Sequence, residues 1–247
     1  MLTAKPIDRG VRAILASLGC MLLSTCLMAG ERPGVSDAKV LTFGYIEFAP
    51  YYYTDHQGAP RGPLIDLARK LALETGYQLR PVSLPAKRAV KMVASGEVDL
   101  WFGLSTISLY NDNVLISSKP VDQLELRVYS RDCLEHFDNF RQLSGKKVVI
   151  LRGYTYGGLI DYINTAQNRV EALEVRDPHQ AVRVLVGRKM DYLLSYSLPM
   201  AAAMQRMSHV ALNSRVLDHF NVHVTVHKDL PDAKQIMASF EQMISAL

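Results

Sequence analysis

Three histidines, His219, His223 and His227, recur at intervals of four. On a helix that spacing would turn the imidazoles to one face and offer a metal ion its ligands. The neighbouring residues point elsewhere. Val222, Val224 and Val226 alternate with His223 and His227, the period of a strand, so both imidazoles are expected to face solvent without metal. Carboxylates stand at Glu47, Asp55 and Asp112, but nothing in the sequence fixes two of them at an acid–base separation. Only Glu47, beside an aromatic turn, is worth following. The sequence holds no Gly-x-Ser-x-Gly elbow, Walker loop or dinucleotide fingerprint. No catalytic residue, metal or cofactor is expected, and the chain reads as a non-enzyme.

The stronger signal is aromatic. Phe48, Tyr51, Tyr52 and Tyr53 crowd one turn, and Tyr154 and Tyr156 lie in another much further along. Aromatic faces stack on rings and attract cations. Thr106, Ser108 and Thr155 lie in loops whose hydroxyl and backbone N–H groups suit a polar or anionic ligand. Trp101 falls within an apolar strand and reads as core.

These loops must be held by elements, and the pattern is one of short strands alternating with helices. Leu41, Phe43, Tyr45 and Ile46 suit a buried strand. Pro63 opens a helix whose Leu64, Ala68, Leu71, Ala72 and Thr75 share a face, and Gly76 ends it. Leu79 to Leu84 is a strand that Pro81 places at an edge. Pro85 starts a helix that brings Arg88 towards the same end of the sheet, and Val98 to Phe102 is the next strand. A second round follows: strand Lys147–Leu151, a helix near Gly158–Ile163, strand Val170–Val175, a helix opened by Asp177-Pro178, and strand Met190–Leu194. The rounds echo each other in Gly96…Asp99-Leu100-Trp101 and Gly187…Asp191-Tyr192-Leu193. Gln123–Tyr129 and Phe220–Val226 alternate in strand fashion and are candidates for crossing between two halves. Pro231–Leu247 is a helix whose Ile236, Met237, Phe240, Met243 and Ile244 form a core stripe.

The amino terminus reads as an export signal: basic Lys5, Arg9 and Arg12, then an apolar run from Ala13 to Ala29. Cleavage after Ala29 is the preferred reading. Cys20 and Cys26 offer a lipoprotein alternative whose flanking residues fit less well. The whole chain carries +4, of which residues 1–29 hold +2 (three basic residues against Asp8), leaving +2 for the rest. That is too little for a nucleic-acid partner, and no basic stripe with interleaved aromatics is present. Cys133 alone remains beyond the signal and has no metal-type spacing.

Several short motifs, in order, resemble the amino-acid-type (family 3) periplasmic solute-binding proteins. They are Phe48-Ala49-Pro50-Tyr51, Gly62-Pro63-Leu64-Ile65-Asp66-Leu67, Leu84-Pro85-Ala86-Lys87-Arg88-Ala89, Gly96-Glu97-Val98-Asp99, Ser118-Lys119-Pro120, Leu143-Ser144-Gly145-Lys146-Lys147-Val148 and Arg152-Gly153-Tyr154-Thr155. The resemblance implies an α/β two-lobe periplasmic-binding-protein-like fold (type II), each lobe a mixed sheet flanked by helices, joined by two crossing strands. Mapped on the chain, it implies a signal peptide at 1–29, a flexible lead-in at 30–39, lobe 1 from 40–123 and 217–247, and lobe 2 from 124–216. It further implies a monomer that takes a small-molecule ligand in the cleft and docks on an inner-membrane permease of an ABC importer. A membrane sensor as partner and a dehydratase-like periplasmic enzyme are the alternatives.

By the same resemblance Phe48 sits where the family places an aromatic against its ligand. The family's carboxylate-gripping Arg falls at Asn111, and its amine-gripping Asp at Tyr196. Both charges are missing, and Asn loses the charge-assisted, bidentate bond that Arg would give. The expected ligand is therefore a small polar or aromatic molecule with at most one carboxylate. The expected contacts are Phe48, Tyr52, Arg88, Thr106, Asn111, Tyr154, Thr155 and Tyr196.

Overall fold

The structure, a computed structural model, describes residues 39–246 apart from 106, 108, 109, 111, 188, 189 and 208. The expected signal at 1–29 and most of the lead-in lie outside the described residues, as do Thr106, Ser108 and Asn111. The first round of strands and helices is β1 (Val40–Tyr45), a small hairpin of β2 (Tyr53–Thr54) and β3 (Pro60–Arg61), α1 (Pro63–Glu74), β4 (Gln78–Ser83), α2 (Ala86–Ala94) and β5 (Leu100–Leu104). β6 (Val114–Ile116) and β7 (Asp122–Ser130) follow. The second round is β8 (Lys147–Leu151), α3 (Leu159–Asn164), β9 (Glu171–Val175), α4 (Pro178–Gly187), β10 (Tyr192–Tyr196) and α5 (Ser197–Gln205). β11 (Asn213–His227) and α6 (Ala233–Ile244) end the described chain.

The main sheet runs β4-β1-β5-β11-β7-β10-β8-β9, with β6 beside β11. Its two wings are parallel, β4-β1-β5 and β10-β8-β9. Between them β11 and β7 pair antiparallel along Asn213–Val222 and Asp122–Ser130. Each then borders one wing: Val222–Val226 pairs with β5, and Leu126–Tyr129 pairs with β10. These are the two expected crossing strands. Pro81 lies in β4 at the outer edge, where a missing N–H costs no ladder bond.

Within each wing the order is the same: the first strand is central, the second lies outside it and the third inside. A helix must cross between successive parallel strands. α1 buries Leu64, Ile65, Ala68, Leu71 and Ala72, and α6 adds Ile236, Met237 and Phe240 to the same core. α4 buries Ala181, Val182 and Leu185 against the second wing.

The aspartates of the two echoed segments, Asp99 and Asp191, have one structural meaning. Asp99 Oδ2 accepts from the Thr42 N–H at 2.8 Å, and the Asp99 N–H donates to the Thr42 carbonyl at 3.0 Å. Asp191 does the same to Lys147, at 2.8 and 2.9 Å. Each aspartate thus staples the start of an inner strand to the central one. Thr42 is buried and Lys147 is exposed, so water can replace only the second carboxylate. Asp99→Ala is expected to cost about 2–3 kcal/mol and Asp191→Ala under about 1.5 kcal/mol in urea unfolding. Equal losses would refute this account.

Some boundaries differ from the sequence reading. β11 extends to Asn213 although its first part is mostly exposed, because β7 supplies hydrogen bonds there without burial. β10 is displaced from the expected Met190–Leu194 and ends at Tyr196, following its register with β7. α5 was not expected. The histidines are not solvent-facing as a pair: His223 Nδ1 lies 2.8 Å from the Ser117 carbonyl, and His227 is buried against Gly96.

Candidate functional site

Parallel strands present their carboxyl ends together, and ligands of such sheets bind in the loops beyond them. β1 ends at Tyr45, β8 at Leu151 and β10 at Tyr196. The loop after β1 folds back on itself through Phe48 N–H to the Tyr52 carbonyl at 2.9 Å, while Tyr51 N–H bonds the Phe48 carbonyl at 3.0 Å. This turn sets Phe48 flat on Tyr51, with ring centroids 5.0 Å apart and planes 11° apart. Tyr52 is 6.0 Å from Phe48 on its other approach.

The second wing meets that turn edge-on. Phe48 lies 5.1 Å from Tyr154 and 5.4 Å from Tyr196, with interplanar angles of 80° and 85°. Edge-to-face contacts at this range are favourable through the ring quadrupole. Tyr196 also meets Phe220 of the crossing strand at 6.4 Å. The rings of both wings and of β11 therefore form one wall. Burial pushes the hydroxyls of Tyr51, Tyr52, Tyr154 and Tyr196 well up, so these phenols stay neutral. The wall is uncharged and suits stacking more than ion pairing.

Four of the expected contacts, Phe48, Tyr52, Tyr154 and Tyr196, are brought together here. Thr155 is exposed next to the wall, its carbonyl accepting from the Gly158 and Ile160 N–H groups. Arg88 is exposed on the first turn of α2. Arg152 points away to Glu174, at 3.6 Å. Tyr156 holds the scaffold together. Its hydroxyl accepts from Leu151 N–H at 2.7 Å and donates to the Leu194 carbonyl at 3.3 Å, tying β8 to β10.

Phe220 was not anticipated in the wall. Its signal in the sequence is that of an apolar residue at the start of an expected crossing strand, Phe220–Val226.

Glu47 is bound. Its carboxylate accepts from the Thr54 N–H at 2.9 Å, the Thr54 hydroxyl at 2.5 Å and the Ser83 hydroxyl at 2.7 Å. Burial pushes its pKa up, but the hydrogen bonds outweigh it and hold the group below the usual glutamate range. A general acid needs the opposite shift. A depressed folded pKa stabilises the fold above the unfolded value and loses that contribution as pH falls through the folded one. The Glu47→Gln variant is therefore expected to be less stable than the parent at pH 7, with the gap closing below about pH 4. Urea midpoints at both pH values check this, and a gap that widens in acid would contradict it.

Among the described residues, four buried side-chain atoms, Trp101 Nε1, Tyr110 Oη, Thr225 Oγ1 and Ser195 Oγ, lack a hydrogen bond of good geometry. An orphan of this kind costs about 1–3 kcal/mol. Away from the aromatic wall, a hollow of about 480 Å³ opens at the amino ends of β8 and β10, lined by Cys133, Phe137, Lys146 and Tyr192 among others. None of the expected contacts among the described residues borders it.

The profile of the bacterial extracellular solute-binding proteins, family 3, matches residues 41–245, nearly the whole described chain. The chain belongs to this family. Family 3 membership accounts for the two parallel wings and the antiparallel seam between them. Among curated proteins none matches the chain in sequence. Solved structures with the same fold include the GluR0 ligand-binding core in complex with L-glutamate, at 16% identity and TM-score 0.68, covering 85% of this chain and 94% of that one. Another is the ancestral amino acid-binding protein AncCDT-1, a precursor of cyclohexadienyl dehydratase, at 18% identity and TM-score 0.63, covering 84% and 88%. A third is a histidine kinase sensor domain with similarity to periplasmic binding proteins, at 18% identity and TM-score 0.65, covering 85% and 90%. At these identities the likeness concerns the fold. Among the described residues, no helix is long and apolar enough to cross a membrane.

Proposed function

We propose that this family 3 protein is exported to the periplasm by its first 29 residues, binds one small solute between its two lobes and delivers it to the permease of an ABC importer. The solute is ring-bearing or polar, with at most one carboxylate. One observation carries the reading. Phe48 from the first wing packs against Tyr154 and Tyr196 from the second, so a single uncharged aromatic surface is completed only when both wings contribute. A solute gripped by both wings favours the closed arrangement by its differential affinity, with bending at β7 and β11. Asn111 and Tyr196 stand where the family resemblance expects Arg and Asp, which disfavours a doubly charged α-amino acid. The hydrogen-bonded state of Glu47 supports binding over catalysis.

Native mass spectrometry of protein purified from the periplasm tests this. A non-covalent adduct carrying a ring is the expected result. A bound free α-amino acid would overturn the solute class and keep the binding role. A bare protein that no solute in a thermal-shift panel stabilises would overturn both. The shared fold of the histidine kinase sensor domain favours one second reading, that the closed form reports to a membrane sensor. Genes for a permease and an ATPase beside its own would support the importer.

A further inference from the structure

Two segments at the amino ends of β8 and β9 pack on each other, at the opposite end of β8 from the aromatic wall. Residues 140–147 lead into β8 and residues 162–170 into β9. The Ser144 hydroxyl and the Gly145 N–H both donate to the Asn168 carbonyl, at 2.9 and 3.0 Å. The Tyr162 hydroxyl donates to the Arg141 carbonyl at 3.2 Å, and Asn168 Nδ2 to the Tyr162 carbonyl at 2.8 Å. A capping box of Asn139 and Gln142 fixes the first turn, and Leu143 anchors it in the core. The two segments carry Arg141, Lys146, Lys147 and Arg169, all exposed, and no acidic residue. Lys147 lies 3.8 Å from Glu171. Among the described residues no carboxylate is within ion-pair distance of the other three cations. An aromatic pair stands among them: Phe140 keeps 39% of its surface exposed and meets Tyr162 edge to face, with ring centroids 5.0 Å apart.

Folding thus assembles a basic and aromatic corner that no continuous stretch of the sequence carries. Unpaired cations on one rigid surface attract a partner of dense negative charge. The exposed ring narrows the choice. At a membrane surface such rings settle at the level of the headgroups, where one side is apolar and the other wet. We propose that this corner docks on anionic phospholipid, with Arg141, Lys146 and Arg169 on the headgroup phosphates and Phe140 set among them. Each cation near such a surface contributes about 1 kcal/mol, so the contact is weak and reversible. The loops that carry the wall lie at the other end of β8, so a docked protein keeps its solute face free. The proposal does not depend on which solute the wings grip.

Cys133 supplies the probe. It is exposed, lines the hollow together with Lys146, and is the one cysteine beyond the expected signal. A polarity-sensitive fluorophore on its thiol therefore reports on this face. Vesicles of phosphatidylcholine with about 30 mol% phosphatidylglycerol are expected to sediment the mature protein and shift the label's emission at low salt. Pure phosphatidylcholine is expected to do neither, and about 0.5 M salt to release the protein. Together Arg141→Gln, Lys146→Gln and Arg169→Asn should weaken binding at least about tenfold, and Phe140→Ser about threefold. Asn is chosen at 169 because φ there is +49°. Replacing Arg176, Arg183 and Arg206 by Gln changes the net charge equally at exposed sites outside both segments, and should leave affinity within about threefold. Equal weakening by the two triple variants would mark net charge alone and overturn the proposal. So would vesicle binding that leaves the label unmoved, or a parent that fails to sediment at low salt; neither readout depends on a variant folding. Binding to soluble polyglutamate as tight as to vesicles, indifferent to Phe140→Ser, would assign the corner to an acidic protein and overturn the lipid.

Discussion

Gly62→Ala is expected to destabilise the protein by about 3 kcal/mol or more, lowering its melting temperature by roughly 6–12 °C. Gly62 caps α1 with φ 114° and ψ 158°, a conformation side chains rarely adopt. An added Cβ would also collide with the Tyr51 carbonyl oxygen and stand 2.9 Å from that of Pro50. These are backbone atoms and cannot swing aside. The Tyr51 carbonyl is itself held by the Leu64 N–H of α1 at 3.1 Å. Moving it would disturb the helix start and the turn carrying Phe48 together. Gly58 is the control: its φ is +80° but nothing lies near its Cβ position. Gly58→Ala should cost only the conformational term, about 1–2 kcal/mol. Equal melting shifts for the two variants would refute the close-approach account.

Phe48→Ala is expected to remove solute binding and part of the fold's stability at once. The ring is buried and touches Tyr51, Tyr52, Tyr154 and Tyr196. Truncating a buried Phe costs about 3–5 kcal/mol. Affinity for the copurified solute should fall about hundredfold or more, since the anchor common to both wings is gone. Phe48→Leu should keep most of the stability and still bind poorly, because it fills volume without a ring face. Binding by Phe48→Ala within about threefold of the parent would show that the wall is not the site.

Much of the scaffold can be read from residue order. The strand expected at Lys147–Leu151 matches β8 at both ends, because a run of apolar residues is bounded there by Lys146 and Gly153. Asp177 and Pro178 mark the start of α4, and Asp177 Oδ1 does accept from the Gln180 N–H at 2.8 Å. What stays hidden follows from environment. Asn213–Asn221 carries little apolar alternation because that part of β11 is held by its partner's backbone and exposed on its faces. α5 has Pro199 and a run of alanines in place of a distinct apolar stripe. His227 reads as solvent-facing because the strand alternates, yet both faces of β11 are covered at its end.

The wall is legible in part. Phe48 and Tyr52 announce themselves by crowding, and Tyr196 by its place in the family pattern. Trp101 reads as core, and it is buried. The way its indole lies over Gly103 depends on the missing side chain there, which no property of Trp101 itself reveals.

The pairing of β11 with β5 has a consequence for the order of assembly. Trp101 meets Thr225, so the inner rim of the amino-terminal wing stays an open edge until the last strand of the chain arrives. The other wing can be finished earlier, since β8, β9 and β10 are near neighbours along the chain and β7 precedes them. The half that is synthesised first is thus the half completed last, and a chain cut short before Val222 would expose β5 to pairing with a stranger's strand.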